Sequence, residues 1–280
     1  MLTGITPKPN KTKLAVKLGV SRSSLYYQPT KATQDGVEKE LVKQVMAQHP
    51  AYGHKRIALH LRWGKNHVNR IMHQFDLKPA RRRIQRPPEK LGDFHQTPVE
   101  YPNFYLLYPE LNEVDECGIF WRADFTYLKI NGRFWYQATV IEVATREVIG
   151  YALSKHHDTE LVTTALQDAL NKYPPPLIFH SDQGSEYRSH KQIALCEQHK
   201  ILISMSNRAS PWHNAHQESF FSHFKLEFGD FSRFKTIGET FAEISNMIYY
   251  YNTNRIHTAL KMPPVAYREI LSTRQKRQIV

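Results

Sequence analysis

The chain has 280 residues, 41% of them hydrophobic and 23% charged, enough length and apolar content for one large or two small domains with real cores. It contains no apolar run of roughly 18 residues, and its N-terminal stretch MLTGITPKPNKTK lacks the apolar segment of a signal peptide, so a soluble intracellular protein is expected and a membrane partner is not. Cys117 and Cys196 are too few for a disulfide framework and too isolated for a paired Cys/His zinc site, which leaves buried free thiols as the expectation.

The net charge of +12 is unevenly placed: residues 1–93 hold 19 Lys and Arg against 6 Asp and Glu, and the remainder holds 19 against 20. A basic module for a polyanion, joined to a charge-balanced module, is the natural reading, because Lys and Arg clusters release counterions from a phosphate backbone. Within the basic third, KTKLAVKLGVSRSSLYYQP sets Leu14, Ala15 and Leu18 on one helix face, with Gly19 for a turn and Ser21 to cap a second helix. This predicts a helix-turn-helix near 11–28, with Arg22 and Ser23 in the first turn of its second helix as candidate DNA contacts. A second unit over 51–77 has Ile57, Leu59 and Leu61 on one helix, a turn at Gly64, and Asn66 as cap of a helix carrying Val68, Ile71, Met72 and Phe75. Lys55 and Arg56 are its candidate DNA contacts. The segment 78–116 opens as a linker whose Arg81, Arg82 and Arg83 can track phosphates.

From Gly118 the period changes. GIFWRADFTYLKI, RFWYQATVIEVA and REVIGYALSKH read as three strands of an antiparallel meander, the first two joined by Asn131-Gly132. DTELVTTALQDALNKY reads as a helix capped by Asp158 or Thr159, PLIFHSDQG as a short buried strand, SHKQIALCEQHK as a helix, ILISMS as a strand, and a last helix starts near Trp212. The βββαβαβα order implies an α/β fold, a mixed sheet with flanking helices, preceded by small all-α units.

Three acids stand out. Asp124 interrupts the first strand, Asp182 follows the fourth, and Glu218 lies on the last helix. If the first and fourth strands are neighbours, two acids meet at one edge and a helix crossing the sheet brings the third. Carboxylates so close repel one another, and divalent cations compensate; hard oxygen ligands favour Mg²⁺ or Mn²⁺ over zinc.

Between Asp182 and Glu218 lie 35 residues, and residues from about Cys117 to Pro264 resemble the catalytic core of retroviral integrases and insertion-sequence transposases. The strongest resemblance is to second-reading-frame (OrfB) transposases of the IS-three family, carried by DFTYL, HSDQGSEY, SMS, ESFFSHFKLE and YYNTNRIHTALKMPP, with AYGHKRI similar to the helical domain before that core. The resemblance implies a ribonuclease-H-like core over 117–262, a helical DNA-binding region over 1–77 and a C-terminal tail over 263–280. It implies a DDE transposase in which Asp124, Asp182 and Glu218 bind two Mg²⁺ ions, cut element ends and join them to target DNA. Its expected partners are the element's terminal inverted repeats, target DNA, further copies of the chain on DNA, and a first-reading-frame (OrfA) product as partner or fusion; its expected location is the bacterial cytoplasm, at the nucleoid. His180, Gln183 and Asn214 are candidate supporting residues, and Lys225, at i+7 from Glu218, is a candidate DNA contact. Arg255 and His257 are expected to fix the terminal helix.

This chain departs from its relatives at His213, at the RAS turn before it and at Glu142, none of them in the triad. Two other readings fit part of the sequence. An idle DNA-binding regulator would use the basic third alone, and the complete triad argues against it. A ribonuclease-H-like nuclease for repair or RNA hybrids would use the core, and the duplicated DNA-binding pattern argues against that.

Overall fold

Apolar residues spaced three and four apart build the N-terminal helices in a computed structural model that describes residues 10–26, 30–80, 101–112, 114–206 and 215–278. They are α1 (Lys11–Leu18), α2 (Thr30–Gln48), α3 (His54–Leu61) and α4 (Lys65–Gln74). Val42 and Val45 of α2 pack with Tyr52, with Ile57 and Ala58 of α3, and with Val68, Ile71 and Met72 of α4 in one separate core. The second predicted unit is present as α3 and α4, but Gly64, not Asn66, is the N-cap of α4. The first unit differs from expectation. Gly19 ends α1 in the left-handed conformation (φ 64°), yet the following segment Arg22–Tyr26 is a 3₁₀ helix that buries nothing. Ser21 Oγ lies 2.7 and 2.8 Å from the hydroxyls of Ser23 and Ser24 and accepts the Ser24 amide, local bonds that compete with an α-helical ladder.

The lead-in to the sheet is ordered by α5 (Phe104–Leu107), whose Phe104 amide donates to Ser204 Oγ. Next comes the predicted meander, β1 (Phe120–Ile130), β2 (Arg133–Glu142) and β3 (Val148–Ser154). Asn131 and Gly132 both take positive φ (49° and 77°), as a tight hairpin turn requires. Helix α6 (Thr159–Leu170) is capped by Asp158, which accepts the Leu161 amide; β4 (Ile178–Ser181), α7 (His190–Gln198) and β5 (Leu202–Met205) follow. The five strands pair in the order β3-β2-β1-β4-β5, with β4 parallel to both β1 and β5.

One face of the sheet packs against α6 and α7 through Trp121, Ala123, Val140, Leu166 and Phe179. On the other face lie α8 (Ala215–Phe228) and α9 (Ile237–Thr253), which bury Phe220, Phe221, Phe224, Phe228, Ile244 and Ile248 against Leu128, Ile130 and Ile141. Residues 263–280, expected as a tail, contain α10 (Pro264–Gln278), held to the core where Arg268 pairs with Glu147. Cys196 is buried, Cys117 is partly buried, and both are free thiols. The N-terminal bundle meets the core where Tyr52 Oη accepts the Ile256 amide and His49 Nδ1 lies 2.6 Å from Tyr250 Oη. No described helix is long and apolar enough to cross a membrane.

Candidate active site

Strands β1 and β4 set Phe120 opposite Ile178 and Arg122 opposite His180. Asp124 and Asp182 each follow two residues later, so the two acids stand level where β4 ends. The neighbouring pair that the sequence required is therefore present. Asp124 accepts the Phe125 amide at 2.8 Å, and Asp182 accepts the Gly184 amide at 3.0 Å. A Cβ on Gly184 would lie 2.5 Å from Glu186 Oε2 and 3.0 Å from Asp182 Oδ1, so any side chain there would displace these carboxylates.

Glu218 sits on the exposed side of the first turn of α8. Burial first, then the charges of Asp182 and Glu218, push the Asp124 carboxyl up to about 7. Burial also raises Asp182, with Glu186 adding to it, and burial raises Glu218. Tyr187, 2% exposed, is raised well above the phenol range by burial and by Asp124, Asp182 and Glu186, which places those carboxylates around its ring. The arrangement offers three hard oxygen donors, with Asp124 under the charges of the other two, which suits a divalent cation. Among the described residues, no three His, Cys, Asp or Glu side chains already stand close enough to enclose an ion.

What fixes Glu218 is a residue that sequence reasoning missed. Gln217 is fully buried; its Nε2 donates to the carbonyls of Arg122 (2.6 Å) and Thr139 (3.2 Å), and its Oε1 accepts from Thr139 Oγ1 (2.9 Å). Thr139 is the cross-strand partner of Asp124, so this one side chain ties α8 to the sheet beside the first acid. The signal was available: Gln217 precedes Phe220, Phe221, Phe224 and Phe228 on one helical stripe, a polar residue at a core position.

Of the other candidates, His180 is fully buried, with Nδ1 2.8 Å from Ser204 Oγ and its ring against Phe120, a brace between β4, β5 and β1. Gln183 donates to the Ser206 carbonyl and ties the Asp182 loop to the end of β5. Lys225 donates to Thr126 Oγ1 at 2.7 Å, two strand positions beyond Asp124, and lies over the Tyr127 ring. Glu227, two residues on, accepts from Arg255. Arg22 and Ser23 are exposed on the 3₁₀ helix, and Lys55 is exposed on α3. Arg56 is half-buried and turned toward the core, where the nearby charge of Arg255 adds to burial in lowering its pKa. Asn214, Arg81, Arg82 and Arg83 lie outside the described residues. Glu142 is buried and accepts both the Gly118 amide and Trp121 Nε1 at 2.9 Å, which holds the start of β1.

Two models of the integrase core domain match the chain, over residues 116–211 and 199–264. The mixed sheet with its flanking helices is thus the ribonuclease-H-like fold of that core, and the protein is a polynucleotidyl transferase of the DDE class. Transposase InsK of insertion sequence element IS150 from Escherichia coli is 32% identical over 263 residues, 89% of this chain and 90% of that one. The 31 kDa protein of insertion element IS600 from Shigella sonnei is 30% identical over 90% of this chain and 96% of its own. The HTLV-2 integrase catalytic core domain, solved in complex with magnesium, is similar at a TM-score of 0.46 and 13% identity, covering 54% of this chain and 97% of its own. The chain belongs to the IS-three family of insertion-sequence transposases, enzymes that cleave and join DNA strands in transposition.

Proposed function

We propose that Asp124, Asp182 and Glu218 are the carboxylates at which this transposase cuts element ends and joins them to target DNA, with Mg²⁺, or Mn²⁺, held as two ions. The observation that carries this reading is the level placement of Asp124 on β1 and Asp182 just past the end of the neighbouring parallel β4, with Glu218 reaching the same charges from a helix clamped by Gln217. The bound ions would supply positive charge opposite the entering and leaving oxygens of an in-line displacement. The chain's own contribution is orientation: the Phe125 and Gly184 amides aim the two aspartates, and Lys225 is placed to hold a phosphate of the cleaved end. In hydrolysis the water oxygen bonds to phosphorus and the 3′ oxygen leaves with a proton; in joining, that 3′-hydroxyl gives up its proton and bonds to a target phosphorus, while the target's own 3′ oxygen leaves and takes up a proton.

In the same reading, residues 1–77 bind the terminal repeats, the basic segment 78–116 tracks backbone phosphates, residues 117–262 carry catalysis, and several copies assemble on DNA with a first-reading-frame product. The test replaces each acid by its amide, Asp124→Asn, Asp182→Asn and Glu218→Gln, keeping volume while removing metal-binding charge. Each variant should lose strand cleavage with Mg²⁺ and keep DNA binding. Wild-type cleavage by any one of them removes that residue from the triad.

A further inference from the structure

Around α8 from Glu218, a second group of side chains meets. His216, Ser219 and His223 of α8, with Arg146, Arg255 and His257, line a cavity of about 30 Å³ walled by Ile141, Phe220 and Tyr251. Arg255 is 2% exposed; its Nε donates to both oxygens of Glu227 at 2.8 and 3.0 Å, and its Nη2 has no partner among the described residues. His257 Nδ1 and Arg56 Nε are likewise buried without a described partner. Such groups are rare in folded proteins, where a buried polar atom pairs with protein, ordered water or a bound ion.

The charge balance says which kind. Arg122 and Arg146 both direct a guanidinium nitrogen at His216 Nδ1, at 3.2 and 3.0 Å, so the imidazole is a neutral acceptor that cancels no charge. His223 and His257 are each held down to about 4, by burial first and then by nearby arginines, as a surplus of cationic groups around them requires. A space of this size takes one water or the leading oxygens of a larger anion whose remaining atoms stay in the mouth. Ser219 is exposed at that mouth and follows Glu218 directly, about 100° around the helix.

We infer that this cavity receives one tetrahedral phosphate oxyanion, supplied by the backbone of a DNA strand lying across α8. The DNA source rests on the active site proposed at Glu218; the oxyanion chemistry rests on the cavity alone.

The full chain is melted in sodium phosphate and in sodium chloride of equal ionic strength, as wild type, Ser219→Glu and Arg146→Gln. Ser219→Glu puts a carboxylate in the mouth from an exposed position, and the melting of Arg146→Gln in chloride checks its fold. Phosphate strengthens burial generally, and that effect raises all three alike. The wild type should gain a further rise in Tm that both variants lack; an equal response in all three, the signature of a water-filled cavity, overturns the site. Binding of an element-end duplex carrying single methylphosphonates separates the sources. One linkage whose neutralisation weakens the wild type but not Ser219→Glu, with a salt slope about one unit smaller in that variant, assigns the site to a DNA phosphate. A phosphate-specific Tm rise with no such linkage assigns it to free phosphate and overturns the DNA source. These readouts need no cleavage, so a failure of the Asp124, Asp182 and Glu218 assignment leaves them standing.

Discussion

Replacing Gln217 by methionine keeps its length and removes three hydrogen bonds from a site with no water access. Each such bond contributes about 1 kcal/mol net, and the Thr139 hydroxyl and Arg122 carbonyl are left buried without their partner, so the loss is roughly 2–4 kcal/mol. At about 2–4 °C per kcal/mol for a domain of this size, Tm should fall by roughly 5–15 °C. Catalysis should fall further than stability explains. Glu218 is the next residue, and a carboxylate misplaced by about 1 Å can lower a rate on the order of 100-fold. The assay is strand cleavage of an element-end duplex well below the variant's Tm, beside thermal melting followed by circular dichroism. Thr139→Val, which removes one of the three bonds, should show a smaller loss in both. If Gln217→Met melts within about 0.5 kcal/mol of the wild type and cleaves at its rate, α8 is held by its phenylalanines alone and the clamp has no function.

Lys225→Ala should lower the salt slope of element-end binding by about one unit and slow strand transfer while Mg²⁺ binding persists; an unchanged slope would leave Lys225 as a tether to Thr126. His216, His223 and His257 have folded pKa values of about 2, 4 and 4, below the usual 6.5, so the unfolded chain binds more protons between those limits. Stability is therefore complete above about pH 6.5 and lost as pH falls toward 4, which melts across that range would show; a Tm independent of pH there refutes the buried neutral histidines. Asp124→Asn, besides ending cleavage, should raise Tm at neutral pH without divalent cations, since it removes a carboxylate that burial and two neighbouring acids destabilise; a lower Tm would argue against that repulsion.

The sheet was legible because each strand of the meander carries a dense run of aromatic and β-branched residues and because its turns have their own chemistry, as at Asn131-Gly132. The three acids stood out through their spacing, and the level placement of Asp124 and Asp182 followed from two strands being neighbours. Helix α2 was not read: Gly36 interrupts it and its buried stripe amounts to little more than Val42 and Val45 between charged residues. Helix α9 could have been read, since Thr236 and Glu239 form a capping box and Ile244, Ile248 and Tyr251 keep a helical period behind it. The helix predicted after Ser21 is 3₁₀ instead of α, because neighbouring serines satisfy one another where a capping serine would otherwise serve an α-helix. Gln217 was hidden by its type: nothing in one sequence says that a glutamine beside an acid points inward.

In the proposed site, helix α8 resolves a conflict between exposure and fixed position. A catalytic carboxylate must be reachable by a DNA strand, hence exposed, and must also be fixed, which exposure opposes. Here the two demands fall on different residues. Phe220, Phe221, Phe224 and Phe228 supply burial over three turns, and Gln217 sets the height of the first turn against β1 and β2. Glu218 and Lys225 then lie on the side facing Asp124 and Thr126, while His216, Ser219 and His223 turn a third side to the arginine-lined cavity. Position comes from one face and chemistry from the other two. A substitution on the buried face should therefore disturb both functional faces together, whereas substitutions on either functional face should separate cleavage from phosphate contact.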